Sequence, residues 1–511
     1  MVFRLLLLAL VMCLLPSNST AKDFVLTIGG GYAPEGNQAS LEANVLFFQQ
    51  LIQVKHSSDV EHRIYFADGF DPKDDLQVEA PKAAAKTPAL ELLTSVFDFN
   101  RERLEYRNHR VPSISGAIVP NEVRVGYKDV LSRLTDGDRL IVYVTAHGSA
   151  APGKDKMNTS IACWNNKRLS MKDFSRWLDE VPATVPVVLV MAQCYCGGFV
   201  NTMFEAGEPD SGLAKGVRVG FFAQRHDLPA AGCRPDIEND EEFSSYFWGA
   251  FLGQLRSGKA IEGVDVNLDG RISFAEAHAY AVLASPTIDI PLRTSDEFLR
   301  RYSRIAEYET PPLGSDGPTD EAASEAELDY LGGTVADIAG LASPELRKCV
   351  LGLAQQLEIS PSTEASKVFT LKKEQDEIFR QSRQRPGRGG PRGARSSRRR
   401  DLRQELVTKW PELEETSKWI DLDWLQNENG ESFLEQVREL PNFEPFQQSL
   451  SERIRSRERA TAAELRLVRL RRLIYAMETV ILSKNLPKIA SQDELNKYRA
   501  IRAVEESFFD R

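Results

Sequence analysis

Two nearly unbroken apolar runs, Leu140–Thr145 and Val185–Ala192, constrain the fold more than any other feature of the chain. Both are rich in β-branched residues, which suit the pleated backbone of a strand. Neither alternates apolar with polar residues, as a strand with one wet face does. Each run therefore predicts a central strand of a parallel sheet, buried on both faces. Phe24–Ile28, Arg63–Phe66 and Val217–Phe222 read as further strands. Helical patterns lie between them. Leu41, Val45, Phe48 and Ile52 recur at helical spacing after Ser40, a suitable N-cap, and Asn121–Leu134 and Ser170–Leu178 also read as helices. This alternation predicts an α/β fold with an open, mostly parallel sheet flanked by helices. Such sheets place ligands beyond the carboxyl ends of their strands.

The 511 residues leave room for two or more domains. The 64 Lys and Arg against 74 Asp and Glu give a net charge of −10, so overall charge recruits no nucleic acid. Met1–Ala21 reads as a secretory signal: Arg4, the apolar stretch Leu5–Leu15, a break at Pro16, then small residues at Ser19, Thr20 and Ala21. That stretch is too short to cross a bilayer, and no other window is long and apolar enough. An exported protein, periplasmic or secreted, with no stable membrane span is expected. Cys13 leaves with the signal, and Cys163, Cys194, Cys196, Cys233 and Cys349 remain. An odd count in an exported protein leaves a thiol unpaired and raises a functional question about it. Which of the others pair stays open.

Residues 22–305 carry the strand–helix alternation and close with two helices around an acidic loop within Phe243–Ser285. Beyond Pro311 comes a mainly α-helical C-terminal extension, with a helical segment over 306–382 and a helical region over 404–511. Between them, residues 383–403 are Arg, Gly, Pro and Ser with almost nothing apolar, which predicts a flexible basic linker. Leu467, Leu470, Ile474, Met477 and Ile481 recur by threes and fours, which predicts packing within a small helical domain whose helix Pro487 ends. The sequence names no partner for this region.

The two central runs end on reactive residues. Leu140–Thr145 leads into Ala146-His147-Gly148-Ser149, and Val187–Met191 leads into Ala192-Gln193-Cys194-Tyr195-Cys196-Gly197-Gly198. Parallel strands joined by a right-handed crossover usually lie side by side, which brings imidazole and thiol to one sheet edge. A cysteine nucleophile needs a group that activates it or protonates the leaving amine, and an imidazole does either. Gly148 lets the backbone approach a carbonyl closely, with its N–H as an oxyanion donor. The helix expected after Gly197-Gly198 offers N–H groups and a dipole that favour a thiolate.

Apolar strands ending in His-Gly and then in Cys resemble the caspase-fold cysteine peptidases. The His-Gly-Ser form and the signal are closest to the legumain-like peptidases and their bacterial relatives. Gln193-Cys194-Tyr195-Cys196-Gly197-Gly198-Phe199 is similar to a bacterial pattern in which Ser usually holds the place of Cys196. The resemblance covers about residues 24–300 and implies a caspase-like sheet. It implies His147 as general acid/base, Cys194 as nucleophile, and the N–H groups of Gly148 and Cys194 as oxyanion donors. It also implies an Asn that orients the histidine, for which Asn37 is the nearest match. Legumains carry an acid two positions before the nucleophile; here Ala192 stands there, so the resemblance does not extend to asparaginyl specificity. Cys196 either replaces that Ser or pairs in a disulfide, for which Cys233 is the easier partner because Cys194 and Cys196 would close a strained ring.

Residues 265–276 match a twelve-residue EF-hand loop. Asp265, Asn267, Asp269, Ser273 and Glu276 supply oxygens, Arg271 its carbonyl, and Gly270 the sharp turn. A hard cation such as Ca²⁺ wants this ring of oxygens, and a single loop suits a structural role. The expected protein is an exported cysteine endopeptidase that acts on protein or peptide substrates through a thioester and carries a structural Ca²⁺. A non-catalytic binding or scaffold protein on the same fold, or a transpeptidase, also fits these residues.

Overall fold

The computed structural model describes residues 21–56, 60–79, 87–97, 104–232, 242–306, 328–383, 391–416, 419, 422, 425 and 429–510. The expected signal up to Thr20, Cys233 and residues 236–241 lie outside them. In chain order the strands are β1 Asp23–Gly30, β2 Glu61–Phe66, β3 Leu76–Glu79, β4 Leu104–Arg107, β5 Arg139–Ala146, β6 Gly148–Ser149, β7 Ser160–Cys163, β8 Lys167–Ser170, β9 Val187–Met191, β10 Arg218–Phe222 and β11 Leu292–Arg293.

Six of them form one sheet in the order β11-β10-β9-β5-β1-β2, parallel throughout except for β11, which runs antiparallel to β10. Every residue of β1, β5 and β9 is buried, as their unbroken apolar character requires. The chain is therefore α/β, with a mostly parallel sheet flanked by helices and a largely helical C-terminal region. The path runs from β1 outward to β2, then returns to the other side of β1 at β5. That reversal makes the carboxyl end between β1 and β5 the switch point at which such sheets form a crevice.

The expected helices are present, with shifted ends. The first sheet helix is Ala39–Lys55, and its N-cap is Gln38; Ser40 lies inside the first turn. Ser170 does cap the helix Met171–Leu178, accepting the N–H of Asp173.

The C-terminal half departs from expectation. Part of the expected linker is helix, Pro391–Lys409, because Leu402 and Leu406 lie one turn apart and bury against Leu90 and Leu93 of the helix Pro88–Phe97. Nor does the end of the chain form a domain of its own. The long helix Phe443–Ile489 buries Leu470, Leu473, Ile474 and Met477 among other helices, yet its Leu482 and Leu486 join the core of the main sheet. Pro487 lies within its last turn. Phe509 packs beside Phe48, Trp248 and Phe251 under the sheet. The fully buried Arg139 at the start of β5 pairs with Asp23 and donates to the carbonyls of Phe508 (2.7 Å) and Phe509 (2.9 Å), tying the C-terminus to the amino end of the sheet.

Candidate active site

Val144 of β5 lies opposite Met191 of β9, so His147 and Cys194, each three residues further along, leave the same edge of the sheet. After β5 the chain turns into β6, which pairs antiparallel with β7. The N–H of Ala162 donates to the carbonyl of His147 at 2.9 Å, which makes these two a hydrogen-bonded pair. Gly148, paired with Ile161, is then a non-hydrogen-bonded position, and its N–H points away from β7. It is close to the loop after β9: a Cβ on Gly148 would lie 1.9 Å from the carbonyl oxygen of Cys194.

His147 is half-buried, with its ring edge toward Tyr32 at 5.4 Å. Its Nε2 meets Oε1 of Gln38 at 2.8 Å. The amide nitrogen of Gln38 donates to the carbonyl of Glu35 (3.1 Å), so its oxygen is the acceptor for an Nε2–H. Burial pushes the imidazole below its ordinary value, against the Gly36 carbonyl, which raises it. The histidine is thus oriented by Gln38, not by Asn37. Asn37 accepts the N–H of Gly31 (2.9 Å) and donates to the carbonyl (3.0 Å) and side chain (3.2 Å) of Asp75, which shapes the loop after β1.

Cys194 is half-buried, and its Sγ accepts the N–H of Ala230 at 3.2 Å. No hydrogen bond joins sulfur to imidazole. Burial pushes the thiol up; the Ala230 amide works against this, and the carboxylate of Asp289 adds to it. Tyr195 takes a left-handed turn (φ 60°) between Cys194 and the tight 3-10 helix Cys196–Met203. Both shifts favour the neutral form, of the thiol and of the imidazole.

Cys196 is fully buried and accepts the N–H of Gln224 at 3.2 Å; it is a packed, free thiol, as are Cys163 and Cys349. Arg225 and Asp227, in the loop after β10, pair with each other at 3.0 Å. Gln38, Ala230 and Asp289 belong to no motif that would mark them in the sequence.

The EF-hand-like loop has the backbone its spacing requires, with Leu268 and Gly270 left-handed at φ 60° and 83°. Asp265 accepts the N–H groups of Leu268 (2.7 Å) and Gly270 (2.9 Å), and Asp269 that of Arg271 (2.9 Å). Glu276 accepts from the N–H groups of Val266 and Ser273, both at 2.9 Å, and Ser273 caps the helix Phe274–Ala284. All the oxygens called for belong to one wrapped loop, so the donor set fits Ca²⁺. The loop also holds the chain end: Arg271 stacks on Phe508 at 3.7 Å and donates to the carbonyl of Asp510 at 2.6 Å.

A second grouping had no motif. Asp68, Asp75 and His109, beyond β2, bring one ligand atom each to within 4.8 Å of one another, the sole such trio of His, Cys, Asp or Glu among the described residues. Burial pushes both carboxyls up, and for Asp68 its neighbour Asp75 adds to this. Among the described residues, no helix is long and apolar enough to cross a membrane.

No family model matches the chain, and neither does any curated protein. Among solved structures it is similar to the crystal structure of protein GSU0716 from Geobacter sulfurreducens, at 11% identity and a TM-score of 0.30, over 53% of this chain and 92% of that one. At that score the likeness carries no argument about function.

Proposed function

We propose that the protein is a cysteine endopeptidase on a caspase-like, legumain-like scaffold, with Cys194 as nucleophile and His147 as the proton carrier. The observation that carries this reading is the contact of Gly148 with Cys194: it sets a thiol, an imidazole and an N–H turned away from its sheet at one switch-point edge. Because burial favours the neutral form of both side chains, His147 acts first as a base. The imidazole takes the Sγ–H proton as sulfur attacks the peptide carbonyl. The carbonyl oxygen becomes an oxyanion that accepts the N–H groups of Gly148 and Cys194. As the C–N bond breaks, the imidazolium gives its proton to the departing amine, and a thioester remains. Water then attacks the thioester and gives its proton to His147, the C–S bond breaks, and the proton returns to sulfur.

Substrates are proteins or peptides, met outside the cell compartment that made the enzyme if Met1–Ala21 acts as a signal. Ca²⁺ would be held by Asp265, Asn267, Asp269, the Arg271 carbonyl, Ser273 and Glu276. When bound, it supplies a fixed charge that cross-links the loop, and with it the chain end held by Arg271.

A mixed peptide library with and without an added amine tests the reading. Cleavage by the wild type that is lost in Cys194→Ala and His147→Ala supports a peptidase. Products carrying the amine would instead indicate a transpeptidase. No turnover of any kind from folded protein would leave the scaffold reading.

A further inference from the structure

Arg472 of the long helix Phe443–Ile489 is 3% exposed, yet its guanidinium meets main-chain carbonyls and no carboxylate oxygen. Nε donates to Asp289 (2.8 Å), Nη1 to Val282 and Ser285 (both 2.8 Å), and Nη2 to Thr287 (3.0 Å). These carbonyls belong to one segment, residues 282–289, which leaves the helix Phe274–Ala284 and leads into β11. A buried cation is costly unless its donors are used, and here one segment accepts four of the five N–H groups of the fork.

The same segment reaches the candidate nucleophile. Asp289, 1% exposed, accepts the N–H of Ala231 on Oδ1 at 2.8 Å. Gln224 donates to the carbonyls of Pro229 (3.1 Å) and Ile288 (3.4 Å), and its Oε1 accepts the N–H of Ile290 (3.2 Å). Ala230, between these anchors, donates its N–H to Sγ of Cys194. The charged and titratable groups around Asp289 are Arg472 on the long helix and the thiols of Cys194 and Cys196.

We propose that the long helix Phe443–Ile489 is a positioning element of the candidate active site. Arg472 fixes residues 282–289, Asp289 thereby fixes the loop at Ala231, and the Ala230 N–H is held on the sulfur. The inference deepens the reading of Cys194 as nucleophile and rests on it. An N–H donor on sulfur stabilises the thiolate, so the clamp is read out in the thiol itself.

The test follows carboxamidomethylation of Cys194 by iodoacetamide across pH, located by peptide mass mapping in the chain from residue 22 to 511. Arg472→Met is expected to raise the alkylation midpoint by about 1 pH unit and to slow reaction at neutral pH about tenfold. Arg472→Lys, which keeps the charge without the fork, falls between. Asp289→Asn keeps an acceptor for Ala231, removes the negative charge and lowers the midpoint. Met477→Ala, a buried position further along the same helix, lowers Tm but leaves the midpoint in place. An unchanged midpoint in folded Arg472→Met, or an equal shift in Met477→Ala, overturns the proposal. If Arg472→Met does not fold, unchanged midpoints in both Arg472→Lys and Asp289→Asn overturn it. Peptide cleavage is scored separately: a wild type without turnover counts against the peptidase reading, and an unmoved midpoint against the clamp.

Discussion

The carbonyl oxygen of Cys194 occupies the space that a side chain on Gly148 would need, 1.9 Å from where its Cβ would lie. Gly148→Ala must therefore push the loop after β5 away from the loop after β9. The displaced N–H no longer meets the developing oxyanion, so kcat/KM is expected to fall about 100-fold or more, as when one oxyanion donor is lost. Tm falls as well, while far-UV circular dichroism stays that of the wild type. Full activity in Gly148→Ala would show that the contact has no part in catalysis.

The pH profile follows from two opposite shifts. Burial lowers His147 below 6.5 and raises Cys194 above 9.0. Imidazole must be neutral to accept the thiol proton, so activity rises with pH through the depressed histidine value. It is lost again only where the thiol ionises on its own, above 9.0. A plateau spanning neutral pH is expected in kcat/KM. A resting thiolate–imidazolium pair would instead put the two limbs at the thiol's depressed value and the imidazolium's raised one, and an alkaline limb below pH 9.0 would contradict the neutral pair.

Gln38 and Asn37 are neighbours with different tasks, and mutation separates them. Gln38→Ala frees the imidazole and is expected to lower kcat by about tenfold or more. Gln38→Glu puts a carboxylate on Nε2, which raises the imidazole's pKa and moves the acid limb upward. Asn37→Ala breaks bonds to Gly31 and Asp75, so its main effect is on Tm. An acid limb unmoved in Gln38→Glu would remove Gln38 from the site.

The proposed Ca²⁺ would act through stability. With free Ca²⁺ at 100 times its dissociation constant, binding to the folded state alone adds about 2.7 kcal/mol. EGTA is then expected to lower Tm, and Asp265→Ala to abolish the difference. A wild-type Tm indifferent to EGTA, with no Ca²⁺ bound in calorimetry, would leave residues 265–276 as a helix-capping turn.

The central strands were legible because burial on both faces leaves an apolar run with no period, and His147 and Cys194 stand directly beyond two such runs. The helix Pro391–Lys409 was hidden, since Leu402 and Leu406 anchor it among arginines and partners such as Leu90 and Leu93 lie far back in the chain. The stripe from Leu467 to Ile481 was legible as a buried face, but what covers it was not. Nor could the sequence show that Phe509 completes the core under β5, because that contact joins opposite ends of the polymer. Asn37 and Gln38 are both polar amides at the switch point. Only the path of the backbone after β1 decides which one meets the imidazole.

The most direct test is labelling with a thiol-reactive peptide electrophile, read by mass mapping in wild type, Cys194→Ala and His147→Ala. The account predicts a single adduct on Cys194, absent from Cys194→Ala and strongly slowed in His147→Ala, with peptide turnover lost in parallel. An adduct on another cysteine, or labelling at Cys194 that does not depend on His147, would contradict it.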